Sequence, residues 1–488
     1  MRKPFERQMH LDCQTVPNVQ LNLNCRDEIV PILRALQHLY GRPKLRNAIL
    51  RDIARDVNPA SSAARGREGM TYWQIVVLAA VRLGCNLDYD KLQDLAEQHR
   101  ALRQIMGIGD WNDHVHFNWR RIHDNLTKLR PETIEKINQR IVEAGHELVP
   151  EAAETTRADS FVIKTNIHYP TDSSLIRDGM HKVLAIAAAL ATALGLEGWR
   201  QWRHLDRKVR RLVRKIERIA TRKRAGYHDQ LKPLYRKLLN LSDGLLRRAE
   251  TLRDAAKQAE SLDLDALALD QDLARYIERT RQVCDVARRR VLEAEKVPND
   301  EKLFSIFETH TQLYKRGKAA EPVQFGRLVL IYEDGAGFVT HARLMPRDAS
   351  DRDVVVGETR TVQRRLGGRI RRASFDRGFH SEKNQEELER IVACPCVPKP
   401  GWRQAAEQQQ QASVEFRQAR QSHPGVESAI GALQSGNGLT RCRDRTEDGF
   451  HRYFQLAVLG RNLHVLGKLL LAQEDGDAVA GKSRRKAA

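Results

Sequence analysis

The residues best suited to chemistry lie in segment 372–381, RASFDRGFHS. The apolar residues before Asp376 predict a short buried strand that ends at this acid, and a helix is predicted from Ser381. A carboxylate at the end of a buried strand is a frequent position for catalytic and metal-binding groups in α/β proteins. The alternative is that Asp376 only caps a turn or a helix.

Two further acids lie on predicted regular elements. Asp159 falls in segment 158–166, ADSFVIKTN, whose β-branched and aromatic residues predict a strand. Glu427 falls in a helix predicted to begin at Pro424, with apolar residues on its inward face. Taken alone, each acid could have a purely structural role, such as capping a turn or a helix. The order of the three acids along the chain therefore matters more than any one of them.

That order is the order of an RNase H-like nuclease core. An acid on a strand is followed by a hairpin, a helix, a second acid on a strand and a third acid on a helix. The hairpin is predicted at 325–344 with its turn at 333–337, and the helix at 350–366. The predicted fold class is therefore α+β/α/β, with an RNase H-like mixed-sheet catalytic core, an N-terminal helical domain and a helical coiled-coil insertion.

The predicted insertion, 199–297, has a heptad pattern. From Trp202 to Ile219 apolar residues recur in steps of three and four, which is typical of packed helices. Segment 200–224 holds 12 Lys or Arg against two acids, so half of the net charge of +20 lies within 25 residues. A basic stripe opposite an apolar seam favours contact with phosphates, whereas a solvated coiled-coil face normally mixes both signs.

The chain is expected to divide into five segments. Residues 1–150 form an N-terminal domain whose short helices fit either a helix-turn-helix-like DNA-binding domain or an ordinary bundle. Residues 151–198 and 298–471 form the two parts of the RNase H-like core, separated by the insertion at 199–297. Residues 472–488 form a basic tail that is predicted to be disordered.

Composition constrains the partner and the location. The net charge of +20 and the pI of about 9.8 favour a polyanionic partner, most simply nucleic acid, over a merely solvated basic surface. No run approaches the roughly 18 apolar residues of a membrane span, and the N-terminus lacks the apolar core of a secretory signal. The pair Cys394 and Cys396 does not have zinc-site spacing. We therefore expect reduced thiols, no structural metal and a cytoplasmic location.

Several segments together resemble the insertion-sequence transposases of the DDE type, closest to the ISNCY-like relatives. They are DSFVIKTNIHYPTDSSL (159–175), FSIFETHT (304–311), SFDRGFHS (374–381), HPGVESAI (423–430), GF (449–450) and AVLGRNL (457–463). The resemblance runs from about Gly69 to Leu471 and is interrupted by the insertion.

The resemblance implies an activity and its ligands. Asp159, Asp376 and Glu427 would be the catalytic triad and would hold two Mg²⁺ ions, for which Mn²⁺ can substitute. Two such ions, about 3.5–4 Å apart, stabilise the entering and leaving oxygens of a phosphodiester. The reaction would be cleavage of double-stranded DNA at element ends, followed by 3′-OH strand transfer into target DNA. A homodimer in the synaptic complex and a bacterial, nucleoid-associated location are also implied.

The candidate DNA contacts are all basic side chains. They are Arg207, Lys208, Arg211, Arg214, Lys215, Arg218, His310, Lys315, Lys318 and Arg377. For His310 a packed, hydrogen-bonded role is an equal alternative, and Arg377 could instead pair with a catalytic acid. Trp199 and Trp202 could stack on a flipped base, although a place in the coiled-coil core is favoured.

Some acids compete with the triad. Asp172 and Asp178 are close to Asp159 in sequence but are predicted in a turn and a helix. Glu447 and Asp448 are alternatives to Glu427 but are predicted in a loop.

The sequence departs from the related enzymes at one point. These often carry a basic residue one or two helical turns after the Glu, where this chain has Ala432, Leu433 and Gln434. Arg441 or Arg443 could supply that charge. Two other functions stay open: a non-catalytic DNA-binding protein derived from a transposase, and an RNase H-like nuclease that hydrolyses DNA without joining it.

Overall fold

The protein is described by a computed structural model that divides into two compact units. The described residues are 2–5, 13–24, 28–58, 69–110, 114–222, 224–258, 263–315, 321–399, 401, 408 and 411–487, with side chains described as far as residue 475. The first unit comprises Met1–Lys164 and Arg327–Ala488, and the second comprises Thr165–Gly326. Both helices and strands are present, so the fold is mixed α/β.

The N-terminal part of the first unit is helical. Its helices are α1 (Ile29–Tyr40), α2 (Pro43–Val57), α3 (Tyr72–Gly84), α4 (Tyr89–Gln98), α5 (Arg100–Ile105), α6 (Trp119–Leu126) and α7 (Pro131–His146). The helical pattern that starts after Thr71 predicts this residue as the N-cap of α3, and the structure confirms it: the Thr71 hydroxyl accepts a hydrogen bond from Gln74 N at 3.1 Å in a capping box. Segment 59–69, PASSAARGREG, has a composition that predicts a loop, and it lies outside the described residues except for Gly69.

A mixed six-stranded sheet follows. Its strands are β1 (Thr155–Lys164), β2 (Gln312–Tyr314), β3 (Gln324–Asp334), β4 (Val339–Leu344), β5 (Arg372–Phe375) and β6 (Cys394–Cys396). The order is β2-β3-β1-β5-β6, and β4 also pairs with β3. Strands β1, β5 and β6 are parallel, whereas β3 is antiparallel to β2 and β4.

Strand β3 also runs opposite to β1. At one end Thr156 Oγ1 donates to Glu333 O at 3.2 Å, and at the other Thr165 N donates to Phe325 O at 3.1 Å. Paired positions that rise along one strand while they fall along the other define an antiparallel pair. The predicted hairpin is confirmed as β3 and β4, with β3 extending to Asp334.

The remaining helices of the first unit are α12 (Asp351–Arg365), α13 (Glu382–Glu389), α14 (Val414–Ser422), α15 (Gly425–Ser435) and α16 (Glu447–Ala487). The prediction that Glu447 and Asp448 lie in a loop is wrong. They begin α16, because Thr446 Oγ1 accepts a hydrogen bond from Gly449 N at 3.2 Å and so starts the helix earlier. Helix α16 also continues through 472–487, the segment for which the sequence predicts disorder.

Helix α16 lies at the centre of the first unit's core. It packs on α1, α3 and α7, and its side chains Phe450, Tyr453 and Phe454 are almost completely buried. A Cβ at Gly460 would fall against the backbone of Gly84 on α3, so two glycines allow these helices to approach closely.

The described part of the second unit contains the α-helices α8 (Asp172–Ala193), α9 (Trp202–Arg222), α10 (Tyr227–Gln258) and α11 (Leu264–Ala287), the last of which runs into a π-helical turn at Arg288–Leu292. Helix α8 packs on α9 and α11, and α10 packs on the same two helices. This packing explains why the unit begins at Thr165, well before the predicted insertion limit of 199. No helix in the described ranges combines the length and the apolar character needed to cross a membrane.

Candidate functional site

The structure places Asp159 and Asp376 side by side. The parallel register of β1 and β5 ends with the pair Ala158 and Phe375, and the two aspartates are the next residues of their chains. Neighbouring strands lie about 4.8 Å apart, so the two Cα atoms are separated by roughly 5 Å. Because side chains alternate along a strand, both carboxylates project away from the face that buries Ala158 and Phe375.

Backbone hydrogen bonds hold both aspartates. Asp159 Oδ1 accepts from Ser160 N, and Asp376 Oδ1 accepts from Arg377 N, each at 2.7 Å. Asp376 therefore caps the short 3₁₀ turn Arg377–Phe379, as the alternative interpretation of this residue expects. The cap restricts the carboxylate, and the residue is exposed, so capping does not prevent binding to a ligand.

Glu427 lies in the first turn of α15, a helix that packs against β1. It is exposed, whereas Val426, Ala429 and Leu433 of the same helix are buried. The imidazole of His423 interacts electrostatically with both Asp376 and Glu427. The third acid thus shares this edge of the sheet with the two aspartates.

His423 connects the start of α15 to strand β5. Its Nδ1 lies 3.2 Å from Ser374 Oγ, two residues before Asp376. Burial lowers the pKa of the His423 imidazole below its ordinary value, and the carboxylates of Asp376 and Glu427 oppose this shift only in part. This shift favours the neutral form of the ring.

Arg157 connects the same segment to strand β1. Its Nη1 donates to Ser422 O at 3.1 Å, and its Nη2 lies 2.8 Å from Glu333 Oε2. Glu333 is almost completely buried, and burial raises the pKa of its carboxyl even though Arg157 and Arg461 oppose the shift. A Cβ at Gly425 would overlap Arg157 Nη1, so a larger residue at this position would require the guanidinium to move.

Sequence reasoning assigned no role to Arg157, Ser374, His423 or Gly425. Three of them stand inside the quoted motif segments, and the available signal was their spacing from the acids. Arg157 and Ser374 each precede an aspartate by two residues, and His423 precedes Glu427 by four. Those intervals place each pair on one face of a strand or of a helix.

The six cations predicted on the basic helix are all exposed on α9: Arg207, Lys208, Arg211, Arg214, Lys215 and Arg218. The opposite face buries Val209, Val213 and Ile216 in the core of the second unit. The acid Asp206 is buried and pairs with Arg210 at 2.9 Å. This distribution leaves a largely basic solvent face on the helix.

The other predicted contacts differ in accessibility. His310 is only 3% exposed, with Nδ1 3.6 Å from Glu308 Oε2, so its packed alternative describes it better. Lys315 and Arg377 are exposed, and Lys318 lies outside the described residues. Trp199 is buried in the helical core of the second unit, as the favoured interpretation expects, and Trp202 is partly buried against the same core.

The competing acids have other partners. Asp172 accepts two hydrogen bonds from Arg290, Asp178 lies 3.4 Å from His168, and Glu447 pairs with Arg327. Of the two alternative cations after Glu427, Arg443 donates to Asn86 Oδ1 at 2.8 Å. Arg441 is exposed. Its backbone forms an isolated parallel β-bridge with Lys164, the last residue of β1.

The three acids have the type of ligand atom that divalent ions prefer, but they are not clustered as a metal site. Carboxylate oxygens are the ligands that Mg²⁺ and Mn²⁺ prefer. Among the described residues, however, no group of three or more His, Cys, Asp or Glu side chains is arranged to hold a metal ion. The acids therefore share one edge of the sheet without forming a closed ligand cluster.

We compared the chain with protein-family models, curated proteins and solved structures. No family model, no curated protein and no solved structure matches the chain.

Proposed function

We propose that the protein is a DDE-type transposase that cleaves DNA at element ends and transfers the resulting 3′-OH into target DNA. The observation that supports this proposal is the position of Asp159 and Asp376, each directly after the last register pair of two adjacent parallel strands. Glu427 supports it, because its helix packs on the strand that bears Asp159.

The sheet supports an RNase H-like core for this function. Strand β4 pairs with β3, and the order continues β3-β1-β5-β6, so the first acid-bearing strand lies between β3 and β5 and the second lies beside it. Of these five strands only β3 runs opposite to the others. Such a sheet presents both aspartates at one edge, where the substrate can reach them.

The chain's own residues supply ligands and orientation. Asp159, Asp376 and Glu427 would hold two divalent ions, which when bound stabilise the charge on the entering and leaving oxygens at phosphorus. The two strands and the backbone N–H groups of Ser160 and Arg377 fix the aspartates before substrate arrives. Asp376 and Glu427 are exposed, which suits a polymeric substrate better than a small molecule enclosed in a pocket.

Charge supports DNA as the substrate. The net charge of +20 and the exposed cations of α9 favour a polyanion of extended shape. We propose double-stranded DNA as the partner, in a nucleoid-associated cytoplasmic setting. Because two element ends must be brought together, a homodimer is the proposed active form.

The decisive experiment replaces each acid without changing its size. Asp159→Asn, Asp376→Asn and Glu427→Gln are each expected to reduce Mg²⁺-dependent cleavage to the level seen without metal, while DNA binding persists. The substrate is a supercoiled plasmid carrying the DNA that flanks this reading frame, including its inverted ends. Asp448→Asn, which changes a competing exposed acid at the start of α16, is the matched control and should cleave normally.

Other results would point elsewhere. An acid variant that cleaves as fast as the wild type would remove that acid from the triad. Cleavage without joined products would favour the hydrolytic nuclease. A wild-type protein that binds DNA but never cleaves it would favour the non-catalytic DNA-binding protein.

A further inference from the structure

Two rows of side chains cross strands β1 and β5 on one face. Arg157 pairs in register with Ser374, and Asp159 and Asp376 each follow the last register pair, Ala158 with Phe375, by one residue. The second row carries the acids proposed to bind metal. The first row lies one pleat earlier, about 6.6 Å along the strands.

The first row holds the chain that leads to Glu427. Arg157 donates to Ser422 O at 3.1 Å, and Ser374 Oγ lies 3.2 Å from His423 Nδ1. Two neighbouring strands thus hold two consecutive residues at the α14–α15 junction. The Arg157 guanidinium is fixed in turn by the buried carboxylate of Glu333, at 2.8 Å.

The distance from His423 to Glu427 matches the distance from the first row of side chains to the second. Four residues of helix, from His423 to Glu427, advance about 6 Å along the helix axis. Two residues of strand, from Ser374 to Asp376, advance about 6.6 Å. Because the two distances are similar, a helix that is held at the first row places Glu427 near the second row. The electrostatic interaction of His423 with both Asp376 and Glu427 agrees with this placement.

We propose that Arg157, Ser374 and His423 form a positioning clamp that sets Glu427 against Asp159 and Asp376. The clamp rests on the proposed function, because it positions an acid of the proposed triad. His423 is a positioning residue here and donates no proton to the substrate. The positioning contact of His423 is the hydrogen bond between its Nδ1 and the hydroxyl of Ser374.

The choice of substitutions separates positioning from acid–base catalysis. In His423→Asn, the side-chain amide can occupy the place of Nδ1 and retain the hydrogen bond to Ser374, but it cannot exchange a proton near neutral pH. His423→Leu and Ser374→Ala remove the hydrogen bond. Ser422→Ala is the matched control, because Arg157 binds the backbone carbonyl of Ser422 and not its side chain.

The experiment measures Mn²⁺ binding to the full-length protein by electron paramagnetic resonance, together with plasmid cleavage and thermal unfolding. Loss of a residue that orients a metal ligand typically costs 10- to 100-fold in metal affinity or activity. We expect a loss of about that size for His423→Leu and Ser374→Ala, with kcat reduced and KM for DNA unchanged. The double variant should lose no more than either single variant, because both remove the same hydrogen bond. His423→Asn and Ser422→Ala should behave as the wild type.

Each contrary outcome has a definite meaning. Wild-type Mn²⁺ affinity in folded His423→Leu and Ser374→Ala variants would overturn the clamp and leave the proposed function intact. Loss of cleavage in His423→Asn with normal Mn²⁺ binding would overturn positioning in favour of proton transfer. A wild-type protein with no Mn²⁺ site that depends on the three acids would overturn the proposed function, and the clamp with it.

Discussion

At the scale of the residue, Gly425 and Gly431 offer a matched comparison within one helix. A Cβ at Gly425 would meet the guanidinium of Arg157, whereas a Cβ at Gly431 would have no neighbour within 4 Å. Replacing glycine by alanine in a helix normally stabilises it by about 1 kcal/mol. We expect this gain for Gly431→Ala. We expect Gly425→Ala to lower the free energy of unfolding by about 1–3 kcal/mol, because a displaced Arg157 leaves the buried Glu333 carboxylate without its nearer cation.

Urea unfolding followed by circular dichroism measures both variants against the wild type. Mn²⁺ affinity should fall in Gly425→Ala and stay unchanged in Gly431→Ala, since only the first substitution disturbs the clamp. Equal stabilisation by the two substitutions would show that Arg157 moves aside at no cost and does not hold α15.

Individual residues also show where sequence reasoning succeeds. Asp376 was recognisable because it is an acid that directly follows a short buried run, Ala373 to Phe375. Arg157 was not recognised, since its only local signal is its position two residues before Asp159. Its role depends on Glu333 and Ser422, which are 176 and 265 positions away. Contacts of that separation cannot be read from local periodicity.

At the scale of the element, helix periodicity and capping residues predicted most of the helices, and turn residues predicted the β3–β4 hairpin. Strand neighbours were harder to predict. Strands β1 and β5 were each predicted, yet their register joins residues 217 positions apart. That register depends on which faces are buried in the folded sheet. The start of α16 was missed because the apolar pattern predicts a helix from Gly449, whereas the helix begins two residues earlier, at Glu447.

The α9 helix makes an element-scale prediction about DNA binding. Arg207, Arg211, Arg214 and Arg218 recur in steps of four, three and four, so they form one exposed stripe about 16 Å long. Arg211→Glu with Arg214→Glu should weaken DNA binding. The slope of log K against log salt should become shallower by about 0.9 for each phosphate that the helix no longer neutralises.

A charge-matched variant on the neighbouring helix controls for net charge. Arg236 and Lys237 are exposed on α10 of the same unit, and reversing both changes the total charge equally. Filter binding across a salt series, at fixed pH, compares the two double variants. If their slopes coincide, the α9 stripe is only a solvated face and attracts DNA no more than other surface cations do.

At the scale of the whole molecule, composition indicated a basic protein with a DNA partner, and the order of elements indicated an interrupted core. The limits of the interruption could not be read from the heptad pattern. The pattern begins near Trp202, but the second unit begins at Thr165 because α8 packs on α9 and α11. An Ala-rich helix such as α8 carries no sequence mark of the unit that will bury it.

Two histidines of the first unit predict how its stability depends on pH. Burial, and then nearby cations, lower the pKa of His38 on α1 and of His464 on α16 to about 4. Their ordinary value of 6.5 applies in the unfolded chain, which therefore takes up protons more readily below that pH. The stability associated with neutral rings is fully present above a pH of about 6.5 and is lost as the pH falls through about 4.

Urea midpoints between pH 7.5 and pH 4 measure this loss in the wild type and in His464→Gln, which cannot be protonated in that range. The variant should show a shallower decline, although partial exposure of the ring screens the effect. His116→Gln changes a histidine that is 74% exposed and should decline as the wild type does. If all three proteins declined in parallel, protonation of His464 would not limit stability in acid, and other groups in the α1–α16 core would have to account for the decline.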